Sequence, residues 1–371
     1  VRVLVTGAEG FVGKNLTVRL GELDGFDIVK CSRQTPEGDL LRLLAGVDAV
    51  VYLAGVNRPQ SQEEFMLGNT GLTKQLCQML IDIGQKTPVI FSSSIQAETD
   101  NPYGKSKRDA EEALWQYASR TGAAVFIYRL PNIFGKWCKP NYNSAVATFC
   151  HNIARGLPIK INDPDAMLTL VYVDDLVDAF IRVLKNRSSA GNARQLCAVP
   201  IEYMTTVGAL AEQIEGFRDS RASLISERVG LGFARALYAT YLSYFPTTSF
   251  VYDLPQHGDA RGMFVEVLKT KDSGQFSFFT VYPDVTRGGH YHHSKTEKFL
   301  VIKGKARFGF RNILTHETHE ILTSGEWPQI VETVPGWTHD ITNVGLDEMV
   351  VMLWANEIFD RSRPDTIACT V

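Results

Sequence analysis

The chain has 371 residues, more than one typical domain holds, so two domains are expected. Hydrophobic residues at 44% and charged residues at 21% describe a globular protein, and a net charge of −3 argues against nucleic acid or an anionic membrane as partner. With no run of about 18 apolar residues, no signal peptide before the first apolar strand, and six scattered cysteines without a C-x-x-C, a cytoplasmic protein with reduced thiols is expected.

Val1 to Val5 is an apolar β-type run. It leads into Thr6-Gly7-Ala8-Glu9-Gly10-Phe11-Val12-Gly13 and a helical pattern from Lys14 to Leu20. In a strand–turn–helix, Gly7 permits the tight turn and Gly10 lets a pyrophosphate reach the free N–H groups of the helix N-terminus. Gly13 lets helix and strand pack closely. The plain alternative is a glycine-rich turn without a ligand. A second strand, Phe26 to Cys31, ends in Ser32-Arg33. The acid that NAD-selecting folds place here is missing, and Arg33 suits a 2′-phosphate, so NADP(H) is expected.

Val47 to Tyr52 reads as a buried strand ending in Leu53-Ala54-Gly55, and helical periodicity runs from Glu63 to Ile83. Pro88 to Phe91 is a further strand running into Ser92-Ser93-Ser94. Ligands of open α/β sheets bind beyond the carboxyl ends of strands, where these serines sit. One of them is expected to be catalytic, Ser94 in preference to Ser93; helix-capping hydroxyls are the plain alternative. Nine residues on, Tyr103 and Lys107 stand four apart in a helical pattern and so share a face. A cation beside a phenol lowers its pKa and makes Tyr103 a candidate proton donor or acceptor. Alone, the pair could equally sit on an ordinary amphipathic helix.

In this order, T-G-x-x-G-F-x-G, L-A-G, S-S-S and Y-x-x-x-K resemble the extended short-chain dehydrogenase/reductase family. Arg129 to Gly135, after a strand from Val125 to Tyr128, and Val171 to Ala179 extend the resemblance to about residues 1–245. It implies a doubly wound parallel Rossmann-type sheet, with Gly7, Gly10, Phe11, Gly13, Ser32, Arg33, Leu53, Ala54 and Gly55 around the cofactor. It implies Ser94, Tyr103 and Lys107 as the catalytic set, Tyr103 and Lys107 also lying against the cofactor, and a nucleotide-linked sugar as substrate. Dehydratases of the family follow the serine or threonine with Asp-Glu; here Ile95-Gln96 stand there. Reduction, oxidation or 4-epimerisation remain. Asn132, Lys139 and Asn141, in a segment rich in aromatics, lysines and amides, are candidate substrate contacts; an ordinary polar loop would read the same way. Asp174 and Asp175 are expected to anchor the helix that follows them.

After about residue 248 the pattern turns β-like, with strands read at Phe276–Tyr282, Lys298–Ile302, Ala306–Arg311 and Met349–Leu353. Seven of the eight histidines fall in this half. On a strand His290 and His292 face one side, Glu297 returns on a neighbour, and His339 arrives from another hairpin. Three imidazoles and a carboxylate suit Zn²⁺ or a similar divalent ion. H-x-H-x4-E-x6-G and P-G-x2-H-x3-N resemble the two cupin motifs, implying an all-β barrel over residues 246–371. Two departures stand: the glycine expected five residues before His290 is absent, and Gly325 lies far from Pro335. Asp259 to Glu266 and Thr286 to Tyr291 also resemble deoxysugar-nucleotide 3,5-epimerases, in which the histidine corresponding to His290 is a general base. His290 is therefore base, metal ligand or both, and Arg261 a candidate for the diphosphate or ketone.

The order of the halves resembles the bifunctional epimerase/reductases of capsule and O-antigen synthesis. That implies C3 inversion of UDP-2-acetamido-2,6-dideoxy-4-hexulose by the cupin, then NADPH-dependent reduction at C4 to UDP-2-acetamido-2,6-dideoxy-L-talose. The C3 proton is acidic only while C4 is a ketone, so epimerisation comes first. A homodimer is expected. A reductase with a structural, dimerising cupin, and a non-enzymic NADP-binding regulator, are the other readings.

Overall fold

In a computed structural model of the chain, the described residues are all 371 apart from 58, 60, 187–193, 255, 260–261, 266–267, 271–273 and 358–361, with the side chains of 37, 62, 256–259, 262–265, 269–270 and 275–277 also left aside. Two compact units form, and neither is continuous in sequence. The first takes Val1–Trp137 and Leu168–Met204, the second Cys138–Met167 and Thr205–Val371. The expected boundary at residues 245 and 246 falls inside the second unit. Among the described residues no helix is long and apolar enough to cross a membrane.

In the first unit six parallel strands lie in the order Asp27–Cys31, Arg2–Thr6, Ala49–Tyr52, Val89–Ser94, Val125–Leu130, Arg194–Cys197. Strands alternate with helices along the chain, which gives the expected doubly wound Rossmann-type sheet. Its central strands read as unbroken apolar runs because both faces are covered. Leu4, Val50, Phe91 and Ile127 pack with Leu76, Leu80 and Leu114 from the helices. The helix Pro102–Thr121 starts where sequence chemistry puts it. Asn101 Oδ1 accepts the Gly104 N–H at 2.7 Å, proline stands in the first turn, and Gly122 ends the helix in the left-handed conformation. At Gly104 a Cβ would lie 2.1 Å from the Gln96 carbonyl, so only glycine lets this helix close against the turn after the serine strand. The helical run read from Glu63 is interrupted: Met66–Gly71 is a π-helical stretch ahead of the helix Leu72–Ile83. Such bulges redirect one side chain without breaking the helix, and here the buried Asn69 sits in it.

In the second unit, two five-stranded antiparallel sheets form the β-barrel core. One runs Val251–Asp253, Gln329–Glu332, Glu297–Lys303, Met349–Ala355, Gln275–Val281. The other runs Thr318–Ser324, Lys305–Asn312, Trp337–Asn343, Thr286–Tyr291, Ile367–Ala368. Phe299 of the first meets Phe308 of the second with ring centroids 5.6 Å apart. The helices Ala145–Ile153, Val207–Ser223 and Gly232–Leu242 pack on one another beside them. Arg221, from one of these helices, reaches Glu332 of the sheet at 2.6 Å. Lys298 pairs with the same carboxylate from the neighbouring strand. Lys298 and Glu332 are both buried, and Arg221 lies over the Tyr252 ring at 4.3 Å. Tyr244 donates to the Cys138 carbonyl at 2.5 Å.

Candidate functional sites

The glycine turn is built as its spacing suggests. Gly10 N–H donates to the Gly7 carbonyl at 2.9 Å, and Gly10 precedes the helix Phe11–Gly21. A Cβ on Gly13 would lie 2.2 Å from the Gly7 carbonyl, so helix and turn touch through backbone alone. The helix start has no side-chain cap and no acid in its first turn. Its N–H groups and positive dipole end thus suit an anion. That fits a dinucleotide pyrophosphate. Thr6 Oγ1 accepts the N–H groups of Leu53 and Ala54, each at 3.1 Å, and brings Leu53-Ala54-Gly55 against the end of the first strand. Ser32 N–H donates to Thr35 Oγ1 at 3.0 Å, forming the turn that carries Arg33, which is exposed.

The three serines at the strand end are held differently. Ser92 Oγ donates to the Tyr52 carbonyl at 3.3 Å. Ser93 Oγ donates to Glu111 Oε1 at 2.5 Å, and Glu111 is also gripped by Arg129 at 2.6 Å. Ser94 Oγ accepts the Gln96 N–H at 3.2 Å and hydrogen-bonds the Tyr103 side chain. Tyr103 donates to Asn57 Oδ1 at 3.2 Å. Lys107 Nζ donates to the Ser92 carbonyl at 2.9 Å, lies 4.9 Å from the centroid of Phe91, and faces Gly55, whose Cβ would be 3.5 Å away. Ser94, Tyr103, Lys107 and the Leu53–Gly55 turn are thereby brought together, and Asn132 is exposed on the strand Asn132–Phe134.

The expected lowering of the tyrosine pKa is not what this geometry gives. Burial raises the Tyr103 pKa, offset in part by the Ser94 hydrogen bond. Lys107 points its ammonium at the Ser92 carbonyl, where it does little for the phenol. Burial lowers Lys107 to about 8, against an opposing pull from Glu111. A lysine depressed in the folded state binds fewer protons than in the unfolded chain between those two values, so stability rises with pH there. Across a window from about 8 to about 10.5 the gain is about 3 kcal/mol. Urea titrations at pH 7.5, 8.5 and 9.5 should show this slope in the parent and its loss in Lys107→Met; equal slopes would refute it.

Several groups here escaped the sequence reading. Asn69 accepts the Val56 N–H at 2.8 Å and donates to Ser106 Oγ at 2.9 Å, and Ser106 in turn donates to the Tyr103 carbonyl at 2.8 Å. It fastens the segment carrying Asn57 to the helix carrying Tyr103. Asn57 belongs to no motif of the sequence. Asp174 pairs with the buried Lys136 at 2.8 Å, in the first turn of the helix Val173–Asn186, the anchoring role expected of it. Lys139 lies over the Tyr142 ring at 5.4 Å, and the Asn141 N–H donates to Thr148 Oγ1 at 3.0 Å; both residues belong to the second unit. Arg261 lies outside the described residues.

The second constellation gathers His290, His292, Glu297 and His339, with one donor atom from each within 4.8 Å of all the others. The strand carrying His290 ends at Tyr291, with a bulge between Gly288 and His290, so His292 enters from the following turn. His292 Nε2 lies 3.1 Å and His339 Nε2 3.5 Å from Glu297 Oε2. Glu297 Oε1 faces Lys295 at 2.7 Å, leaving Oε2 for the centre. Burial, together with His339 and His292, lowers His290 to about 4. Burial also lowers His339. Burial alone would raise Glu297, but its hydrogen bonds to His292 and His339 hold it well below the usual carboxylate range. Neutral imidazoles around an ionised carboxylate are the protonation states of a metal ligand set. His339 is buried, and its Nε2 meets Glu297 Oε2 at the long distance of 3.5 Å, which leaves a buried polar atom short of a close partner. The donor set fits a divalent transition metal.

Residues 3–196 match the NAD dependent epimerase/dehydratase family, and residues 257–367 match the polysaccharide biosynthesis C-terminal domain. The chain is 60% identical over 371 residues to UDP-2-acetamido-2,6-beta-L-arabino-hexul-4-ose reductase of Pseudomonas aeruginosa, covering 100% of this chain and 99% of that one. It is similar to the solved capsular polysaccharide assembling protein CapF of Staphylococcus aureus, at 42% identity, TM-score 0.68 and full coverage of both chains. RMD of Pseudomonas aeruginosa, complexed with NADPH, shares the fold of the first part at 24% identity and TM-score 0.51, over 59% of this chain and 82% of that one.

Proposed function

Since the chain belongs to the NAD dependent epimerase/dehydratase family and carries the polysaccharide biosynthesis C-terminal domain, we propose that it acts on a UDP-linked 4-keto sugar in two steps. The cupin unit epimerises C3 of UDP-2-acetamido-2,6-dideoxy-4-hexulose, and the Rossmann-type unit then reduces C4 with NADPH to UDP-2-acetamido-2,6-dideoxy-L-talose. The observation that carries the reductase half is the meeting of Tyr103 with Ser94, with Lys107 on the same helix set against Gly55. The 60% identity to a hexulose reductase supports the same substrate class.

NADPH supplies the hydride when bound, held by Gly7, Gly10, Phe11, Gly13, Ser32, Arg33, Leu53, Ala54 and Gly55. Tyr103 gives its proton to the C4 oxygen as that oxygen becomes an alkoxide, and burial keeps the phenol protonated until then. Ser94 orients the same oxygen by hydrogen bond. Lys107, against Gly55, would hold the nicotinamide ribose. Asn132, Lys139 and Asn141 contact the nucleotide sugar, as does Arg261. In the cupin unit His290, neutral at pH 7, is the candidate for the base that takes the C3 proton, for a metal ligand, or for both. A divalent metal, Zn²⁺ by the donor set, would be held by His290, His292, Glu297 and His339 and would supply Lewis acidity. The functional division we propose is 1–245 for reduction and 246–371 for epimerisation. A homodimer belongs to the same reading: the strand Gln275–Val281 is a sheet edge and exposes Phe278 at 75%.

The test is incubation with the UDP-4-keto sugar in D₂O, with and without NADPH, followed by NMR. Deuterium is expected at C3 in both arms, and the reduced talose product only with NADPH. NADPH consumption without any C3 exchange would instead favour a single-function reductase with a structural cupin.

A further inference from the structure

A histidine ligand holds a metal in the tautomer and ring orientation that the partner of its other nitrogen dictates. In the four-residue cluster, His292 has such a partner. Its Nε2 faces Glu297 at 3.1 Å, and its Nδ1 meets the backbone carbonyl of Asp365. A carbonyl only accepts, so Nδ1 carries the proton and the Nε2 lone pair points into the cluster.

The Asp365 side chain holds the loop that His292 begins. Its carboxylate accepts the N–H groups of His293 at 2.9 Å, Ser294 at 2.7 Å and Lys295 at 2.8 Å, and the Ser294 hydroxyl at 3.1 Å. This loop joins the strand Thr286–Tyr291, which carries His290, to the strand Glu297–Lys303, which begins with Glu297. The residues that follow Asp365 continue the contact. His290 and Tyr291 pair with Ala368 and Ile367. Cys369 N–H donates to the Gly289 carbonyl at 2.8 Å, and the Thr338 hydroxyl, next to His339, donates to the Cys369 carbonyl at 2.5 Å. One segment of the chain therefore touches His290 and His292 themselves, Lys295 two residues before Glu297, and Thr338 next to His339.

We propose that Asp365 is the positioning residue of this metal centre, and that the segment Asp365–Cys369 is a strap holding His292 Nε2 and Glu297 at ligand spacing. The proposal rests on the reading of the cluster as a metal site. Asp365→Ala keeps the backbone carbonyl but removes the four side-chain hydrogen bonds that tie it to the loop beginning at His292. A strap with only a structural role would lower stability and leave the metal affinity of the folded protein alone. A positioning strap lowers the affinity itself.

The experiment uses the full chain, stripped of metal. Zn²⁺ affinity is measured by competition with a chromophoric chelator, and the Co²⁺-substituted protein is examined by absorption. Asn343→Ala is the control: buried Asn343 makes three hydrogen bonds of its own, to Val281, Asp347 and Gly345, and none to the cluster. Asp365→Ala is expected to bind Zn²⁺ about 10–100-fold more weakly and to change the Co²⁺ bands. Asp365→Asn, which keeps one acceptor oxygen, should fall between, and Asn343→Ala should bind as the parent does despite a lower thermal midpoint. Parental affinity and spectrum in Asp365→Ala would overturn the proposal, as would an equal loss in Asn343→Ala. Should the alanine variant not fold, the asparagine variant decides on the same criteria. A parent that takes up no stoichiometric Zn²⁺ fails the metal reading itself, before any variant is compared.

Discussion

In Tyr103→Phe, NADPH oxidation with the UDP-4-keto sugar is expected to fall about 10²–10⁴-fold, while solvent-deuterium exchange at C3 continues at the parental rate. Phenylalanine keeps the ring that packs against Phe65, with centroids 5.5 Å apart, and removes only the hydroxyl shared with Ser94 and Asn57. The nascent alkoxide at C4 then lacks its proton donor. Under the proposed division of labour, enolisation at C3 needs no such donor in the first unit, its base being assigned to the second. Loss of exchange in a variant with an unchanged thermal midpoint would put both steps at one site and end the division of labour.

Glu332→Ala is expected to destabilise the second unit by about 3–5 kcal/mol, because it strands two cations at once. Glu332 is 1% exposed and is the shared partner of Lys298 and Arg221. Burial and the nearby Arg221 already push the Lys298 pKa well below its ordinary value. Without the carboxylate, the folded state keeps Lys298 protonated only at further cost, while the unfolded chain protonates it freely. The unfolded state then binds more protons, so the deficit is greatest at low pH and shrinks as pH climbs towards the ordinary lysine range. Lys298→Met should cost much less, since Arg221 still neutralises Glu332. Chemical denaturation of the three proteins at pH 6.5 and 9 measures this; equal losses in both variants, or no pH dependence, would contradict it.

The two variants also divide what the sequence could disclose from what it could not. Tyr103, Lys107 and the glycine turn are legible because their chemistry is local: an i, i+4 pair, and a glycine spacing between a strand and a helix. The parallel sheet came with the family resemblance that the ordered motifs carry, and the histidine–glutamate cluster from a compact spacing plus one distant hairpin. The Arg221–Glu332 pair spans 111 residues, and the Asp365 contacts 70–73, with no periodicity to announce them. The direction of the Tyr103 shift was misjudged because four-residue spacing fixes a shared face and not where an ammonium ends: Lys107 turns to a backbone carbonyl. Asn57 and Asn69 gave no signal, since an amide's role depends on which backbone happens to come within reach.

The interleaving of the two units along the chain has a consequence for synthesis on the ribosome. The helix Ala145–Ile153 carries a buried apolar face of Val146, Phe149, Cys150 and Ile153. The helices that cover it, Val207–Ser223 and Gly232–Leu242, are made only after Leu168–Met204 has emerged to complete the first unit. Folding proceeds from the N-terminal end as the chain appears, so that face stands uncovered in the nascent protein while the first unit closes. A polypeptide released before residue 207 would keep it uncovered, as a hydrophobic handle for chaperones or for aggregation.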